Sequence, residues 1–126
     1  MTFALETRAD ANLNSAVPVA VVVTKDRDLQ ARLENMSAER WFAMAEQIER
    51  DHPDVRAFGV AYWEMVPGQP TLVGEVELPS RGWAVVYANY ETPGEHRRVL
   101  DRSGRGVLIT LGEQSFTAEK RRSKKL

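Results

Sequence analysis

Val17-Pro18-Val19-Ala20-Val21-Val22-Val23-Thr24 decides the architecture. Pro18 stands at the start of the segment, where a strand best tolerates a missing N–H. Val19 to Thr24 is β-branched and almost wholly apolar. That is the composition of a strand buried on both faces. Upstream, Thr2 to Arg8 alternates as a strand does, with Phe3, Leu5 and Thr7 on one side. Between the two lies Ala9-Asp10-Ala11-Asn12-Leu13-Asn14-Ser15-Ala16. Its Asn and Asp side chains accept turn geometry and compete with ladder bonds, so it is a loop.

Downstream of Thr24 the period changes. Leu29, Leu33 and Met36 recur at spacings of four and three, which predicts a short helix. Ser37 is a good N-cap, with Glu39 in the following turn to complement the dipole. Met36 before the cap is placed to pack on Trp41 as a hydrophobic staple. Trp41, Phe42, Met44, Ala45 and Ile48 then line one face of a second helix. His52-Pro53-Asp54 ends it, because the residue before a proline avoids the helical region.

From Val55 onward the pattern reads as β. Segments 55–65, 71–78, 83–90, 96–100, 106–111 and 115–118 are separated by turns at Pro67-Gly68, Pro79-Ser80-Arg81-Gly82, Pro93-Gly94 and Asp101-Arg102-Ser103-Gly104. About seven or eight short strands with one helical insertion, at about 27–51, predict a mainly β protein. Helices do not alternate with strands, so the reading is a β-sandwich and not a βαβ sheet. The sandwich is expected to span 1–118. Residues 119–126 hold five basic side chains and read as a disordered basic tail. Without them the body carries 12 basic and 17 acidic residues.

The 126 residues are enough for one domain with its own core. A net charge of −1 exerts no global pull toward nucleic acid. The absence of cysteine removes disulfides and thiolate chemistry. The opening MTFALETRADANLNS has no basic and then apolar region of a signal peptide, and Val17 to Val23 is too short to span a bilayer. The chain as it stands therefore reads as soluble. Loss of a leader during maturation would be compatible with the same sequence.

Nothing in the sequence assembles a catalytic or metal site. His52 ends a helix and His96 follows a turn, and neither has a second histidine at ligand spacing. Ser37, Ser80, Ser103 and Ser115 serve as caps or turn residues, and Ser103-Gly104-Arg105-Gly106 lacks the lysine of a P-loop. The expectation is a non-enzymatic protein without cofactor or metal. A hydrolase working through His52 or His96 is the least supported reading. Tyr62, Trp63, Trp83, Tyr87 and Tyr90 lie in strands without interleaved basic residues, which argues against a nucleic-acid platform. A binding module remains, and loops held by a sandwich are where such modules bind. Leu13, between two asparagines, is either an anchor for a partner or a side chain folded back onto the sandwich edge.

The order of these segments resembles the TssJ family, the outer-membrane lipoproteins of the type VI secretion system. The similarity is carried by Ala9-Asp10-Ala11-Asn12-Leu13-Asn14 followed by Val17 to Asp26, by the helical insertion between Asp28 and Arg50, by Val66-Pro67-Gly68-Gln69, and by Trp83 to Tyr90. It covers about residues 3–118. The resemblance implies a transthyretin-like β-sandwich, anchored by lipid to the periplasmic face of the outer membrane. It also implies a partner, the periplasmic C-terminal region of the inner-membrane protein TssM. The family's first loop contributes to that contact, which makes Asp10, Ala11, Asn12, Leu13, Asn14 and Ser15 the implied partner-binding residues. Three features depart from the family: the acylated cysteine is absent, Val23 and Thr24 replace an arginine and a tyrosine, and the leucine before Lys25-Asp26 is lost. A lipidated cysteine upstream of Thr2 is the corresponding expectation. The alternative is a carrier sandwich with an apolar cavity near Trp63 and Trp83.

Overall fold

The computed structural model describes residues 2–75, 77–79, 82–100 and 106–121. Among them are eight strands in two four-stranded sheets and two helices. The first sheet has the order β4-β1-β7-β8, with β1 at Thr2–Thr7, β4 at Leu72–Glu75, β7 at Gly106–Leu111 and β8 at Phe116–Arg121. The second has the order β3-β2-β5-β6, with β2 at Val17–Thr24, β3 at Phe58–Met65, β5 at Trp83–Ala88 and β6 at Arg97–Leu100. All pairings are antiparallel except β1 with β7. The helices α1 (Arg27–Glu34) and α2 (Ala38–Asp51) connect β2 to β3, as the sequence predicts. The mainly β sandwich with an insertion between its second and third strands is thus the observed architecture.

The valine strand explains why there are three layers. Val17, Val19, Val21 and Val23 join Phe3, Leu5, Val107, Ile109 and Leu111 in the core between the sheets. Ala20 and Val22 point the other way, into a second core with Leu29, Leu33, Trp41 and Ile48 of the helices. All six of these β2 side chains are at most 1% exposed. Each fully buried valine contributes roughly 1.5–3 kcal/mol, and β2, with β5 beside it, ties both cores together. Trp41, fully buried, stacks on Tyr87 of β5 at 5.5 Å, and the Tyr87 hydroxyl donates to the carbonyl of Leu33. Met36 lies in the same cluster, in line with the staple.

Local signals fix the helix ends. The Asp26 carboxylate accepts from the backbone N–H of Asp28 and Leu29, and the Ser37 hydroxyl accepts from that of Arg40, so both starts are capped. At Gly82 a β-carbon would lie 2.6 Å from Val23 Cγ1 and 2.7 Å from the Thr24 carbonyl. Glycine is required there because the chain passes directly against β2.

Several expected boundaries move. β3 begins at Phe58 and not at Val55, because Asp54 turns the chain: its carboxylate accepts from Arg56 N–H and its carbonyl from those of Ala57 and Phe58. β4 is shorter than the expected 71–78 segment, and all four of its residues are exposed at a sheet edge. β8 runs on through Glu119, Lys120 and Arg121, paired with Leu108, Val107 and Gly106. Those three residues belong to the sheet and not to the tail. The rest of the expected tail, 122–126, lies outside the described residues. So do 80–81 and 101–104 of the expected turns.

Candidate functional site

The strand directions gather four connections at one end of the sandwich: 8–16, 66–71, 89–96 and 112–115. The first of them holds the residues singled out from sequence. Ala11–Asn14 forms a single turn whose last three residues are left-handed, with φ of 47° at Asn12, 52° at Leu13 and 70° at Asn14. Asparagine tolerates that region. A leucine does so at a cost of about 1–2 kcal/mol. Something must hold Leu13 there, and its own packing does not, since it is 50% exposed.

Asn12 supplies the lock. Its side chain is 1% exposed. Its Nδ2 donates to the carbonyl of Ala16 at 3.0 Å, and its Oδ1 accepts from the backbone N–H of Glu91 at 2.8 Å. Its own N–H donates to the carbonyl of Gly112, and its carbonyl accepts from the N–H of Ser15. One buried amide therefore ties the 8–16 connection to 89–96, and its backbone ties it to 112–115. Arg8 adds a third link, since its carbonyl accepts from the N–H of Ala11 and of Gly68 in the 66–71 connection.

Six residues adjacent in sequence thus divide by role. Ala11 and Asn12 are buried and build the turn. Asp10 is half-buried and pairs with Arg8 at 3.1 Å. Ser15 is half-buried and donates its hydroxyl to the Glu91 carboxylate at 3.3 Å. Of the six, Leu13 and Asn14 alone are exposed.

Behind the turn stands an aromatic column that sequence reading assigned only to strands. Tyr90 stacks on His96 at 4.9 Å and on Phe116 at 6.3 Å, and Arg98 sits 5.0 Å over the Phe116 ring. The Tyr90 hydroxyl reaches the carbonyls of Gly112 and Ser115 at 2.8 and 2.9 Å. Burial, partly offset by the bond to Gly112, pushes the phenol up to about 12. His96 Nε2 meets the carbonyl of Thr92 at 2.8 Å. The β5–β6 and β7–β8 connections are thereby fixed to one another. The pairs involved are four to 25 residues apart, and the Asn12–Glu91 pair 79 apart; no periodicity announces them.

The other histidine is also structural. His52 caps α2, with Nδ1 against the carbonyl of Ile48 at 2.9 Å and its ring on Phe58. No group of three or more His, Cys, Asp or Glu side chains able to hold a metal ion occurs among the described residues. Trp63 packs on Phe3, with ring centroids 5.3 Å apart. The described clefts, of about 520, 420 and 250 Å³, are lined by neither Trp63 nor Trp83.

No family model and no curated protein sequence matches the chain. Solved structures do. The T6SS lipoprotein TssJ1 from Pseudomonas aeruginosa superposes with a TM-score of 0.65 at 17% identity, covering 95% of this chain and 94% of that one. This chain has the TssJ fold. Serratia marcescens Lip, described as a membrane-bound component of the type VI secretion system, gives 0.66 at 13% identity, with 94% and 96% covered. A chain in the structure of the T6SS protein TssM C-terminal domain (869–1107) from EAEC gives 0.67 at 17% identity, with 96% and 98% covered. At such identities it is the path of the backbone that is shared with the TssJ lipoproteins. No helix among the described residues is long and apolar enough to cross a membrane.

Proposed function

We propose that this TssJ-like chain is a non-enzymatic structural component of the type VI secretion membrane complex, and that it binds the periplasmic region of a TssM-like inner-membrane protein through its first loop. The observation that carries the reading is the Leu13 turn: a half-exposed leucine in left-handed backbone, held from behind by a fully buried asparagine. Strain kept in place by surrounding bonds, with nothing gained in the fold itself, is characteristic of binding elements. A preformed apolar anchor also spares a partner the entropy of ordering the loop. The neighbours support the choice of partner. One matched chain of about this length lies in a structure described as the TssM C-terminal domain, another in one described as a type VI membrane complex. In full length the protein would lie at the periplasmic face of the outer membrane, through a lipidated cysteine absent from this chain.

The test is binding to the periplasmic C-terminal region of TssM from the same organism, with Leu13→Asp beside wild type and the fold checked by circular dichroism. The mutant is expected to lose at least tenfold in affinity, since burying a lone carboxylate in place of an apolar anchor is costly. Equal binding of mutant and wild type would move the contact off this loop. An absence of binding by wild type at high micromolar concentration would end the TssM assignment.

A further inference from the structure

The connections around Leu13 are charged in one sense. They carry Asp10, Glu91, Glu95 and Glu113 against a single arginine, Arg8, already paired with Asp10. Glu95 is paired with Arg97 at the start of β6; among the described residues neither Glu91 nor Glu113 is in an ion pair, and Arg98 of β6 lies behind them over the Phe116 ring. Beside the turn opens a cleft of about 420 Å³, between the start of α2 and the β5–β6 connection. Glu39 and Glu91 line it, together with Asn89, Thr92 and the buried His96, and among the described residues no lysine or arginine does. Glu39 is brought there because the N–H of Ala38 donates to the carbonyl of Glu95 at 2.8 Å, pinning the helix to the loop.

Two independent features, the apolar anchor and the acidic cleft, are joined rigidly. Glu91 belongs to both: its N–H is held by Asn12, its carboxylate accepts from Ser15, and its side chain forms the cleft wall. We infer that the partner presents an apolar pocket for Leu13 rimmed by basic side chains, one lysine or arginine of which enters the cleft between Glu91 and Glu39. This rests on the loop end being the docking surface. Complementary charge around an apolar anchor acts chiefly on the encounter rate, and the anchor acts on the lifetime of the complex. The occupant is thereby specified by chemistry: a basic segment flanking a hydrophobic depression.

The experiment is stopped-flow or biosensor kinetics with the TssM periplasmic C-terminal region, using wild type, a Glu39→Gln/Glu91→Gln/Glu113→Gln variant, and Leu13→Asp. Glutamine keeps the Ser15 hydrogen bond, so the fold is preserved. The association rate of wild type should fall about tenfold or more between roughly 50 and 300 mM salt, as steered encounters do. The triple variant should associate about five- to tenfold more slowly at low salt, with a flatter salt dependence and a nearly unchanged dissociation rate. Wild-type rates and salt slope in the triple variant, while Leu13→Asp still weakens binding, would overturn the basic rim and leave the docking loop standing. Insensitivity to both changes would overturn the loop end as the docking surface.

Discussion

Replacing Asn12 with alanine isolates the lock from the anchor. The substitution leaves Leu13 in place and removes two hydrogen bonds at a position 1% exposed, one from Nδ2 to the Ala16 carbonyl and one from the Glu91 N–H to Oδ1. Each stranded partner costs about 1 kcal/mol or somewhat more. Alanine also accepts a φ of 47° less readily than asparagine, which adds about 1 kcal/mol. The sum is a loss of about 3 kcal/mol, a large part of the stability of a domain this size. Urea unfolding measures it directly, as a lower midpoint with an unchanged slope. In thermal unfolding it corresponds to a decrease of about 10 °C. Asn12→Asp keeps the acceptor for Glu91 but sets a buried carboxylate against the Ala16 carbonyl, and should lose at least as much as Asn12→Ala. A loss below about 1 kcal/mol for Asn12→Ala would refute the argument, because the left-handed turn would then be maintained by something other than this amide.

Trp41 invites a contrast of two substitutions. Its Nε1 is buried without a hydrogen-bond partner, so Trp41→Phe forfeits no bond and should cost only about 1–2 kcal/mol, against about 3–5 for Trp41→Ala; equal losses in chemical denaturation would contradict this. Asp26→Ala and Ser37→Ala should each cost about 1 kcal/mol through an uncapped helix start, the former more because it caps two N–H groups, as read by the same unfolding curves. All three tyrosines titrate late. Burial raises Tyr87 above the ordinary phenol range and holds Tyr90 at about 12; Tyr62, about half exposed, is raised by its partial burial and by the Glu49 carboxylate that accepts its hydroxyl. A raised folded value means that the native state keeps a proton the unfolded state releases, so stability is complete below pH ~10 and declines as pH rises through about 12. Ultraviolet titration should therefore show little phenolate near pH ~10 and then a rise coincident with unfolding. Separate, early ionisation of Tyr87 or Tyr90 would disprove its burial.

The parts of the fold legible in the sequence are those encoded locally. The valine run of β2 could be read as doubly buried because composition alone requires it. The two helices could be placed because Ser37 and Pro53 punctuate them. The start of β3 could not, since Val55-Arg56-Ala57 has strand-like composition and only the Asp54 turn excludes it from the sheet. The end of β8 was obscured by its charge: Lys120 and Arg121 resemble a solvated tail, yet they follow Ala118 into register with β7, and an edge strand accepts charged side chains readily. At the candidate site, sequence singled out the first loop and Leu13. It could not divide exposed Leu13 from buried Asn12, because the partner of Asn12 is Glu91, 79 residues away. The acidic cleft was invisible for the same reason, since Glu39 and Glu91 come from different layers.

The direction of β1 has a mechanical consequence. Thr2 lies abreast of Gly106, and Gly106 abreast of Arg121, so the strand that enters the domain and the strand that leaves it share the floor opposite the Leu13 turn. β1 climbs from that floor over six residues, about 20 Å at ~3.3 Å per residue. A tether fastened ahead of Thr2 would turn the sandwich into a pedestal, holding the Leu13 turn about 20 Å beyond the point where the tether joins it. The length of a β-strand would then set the least height of that turn, and a longer tether would add its own reach to it.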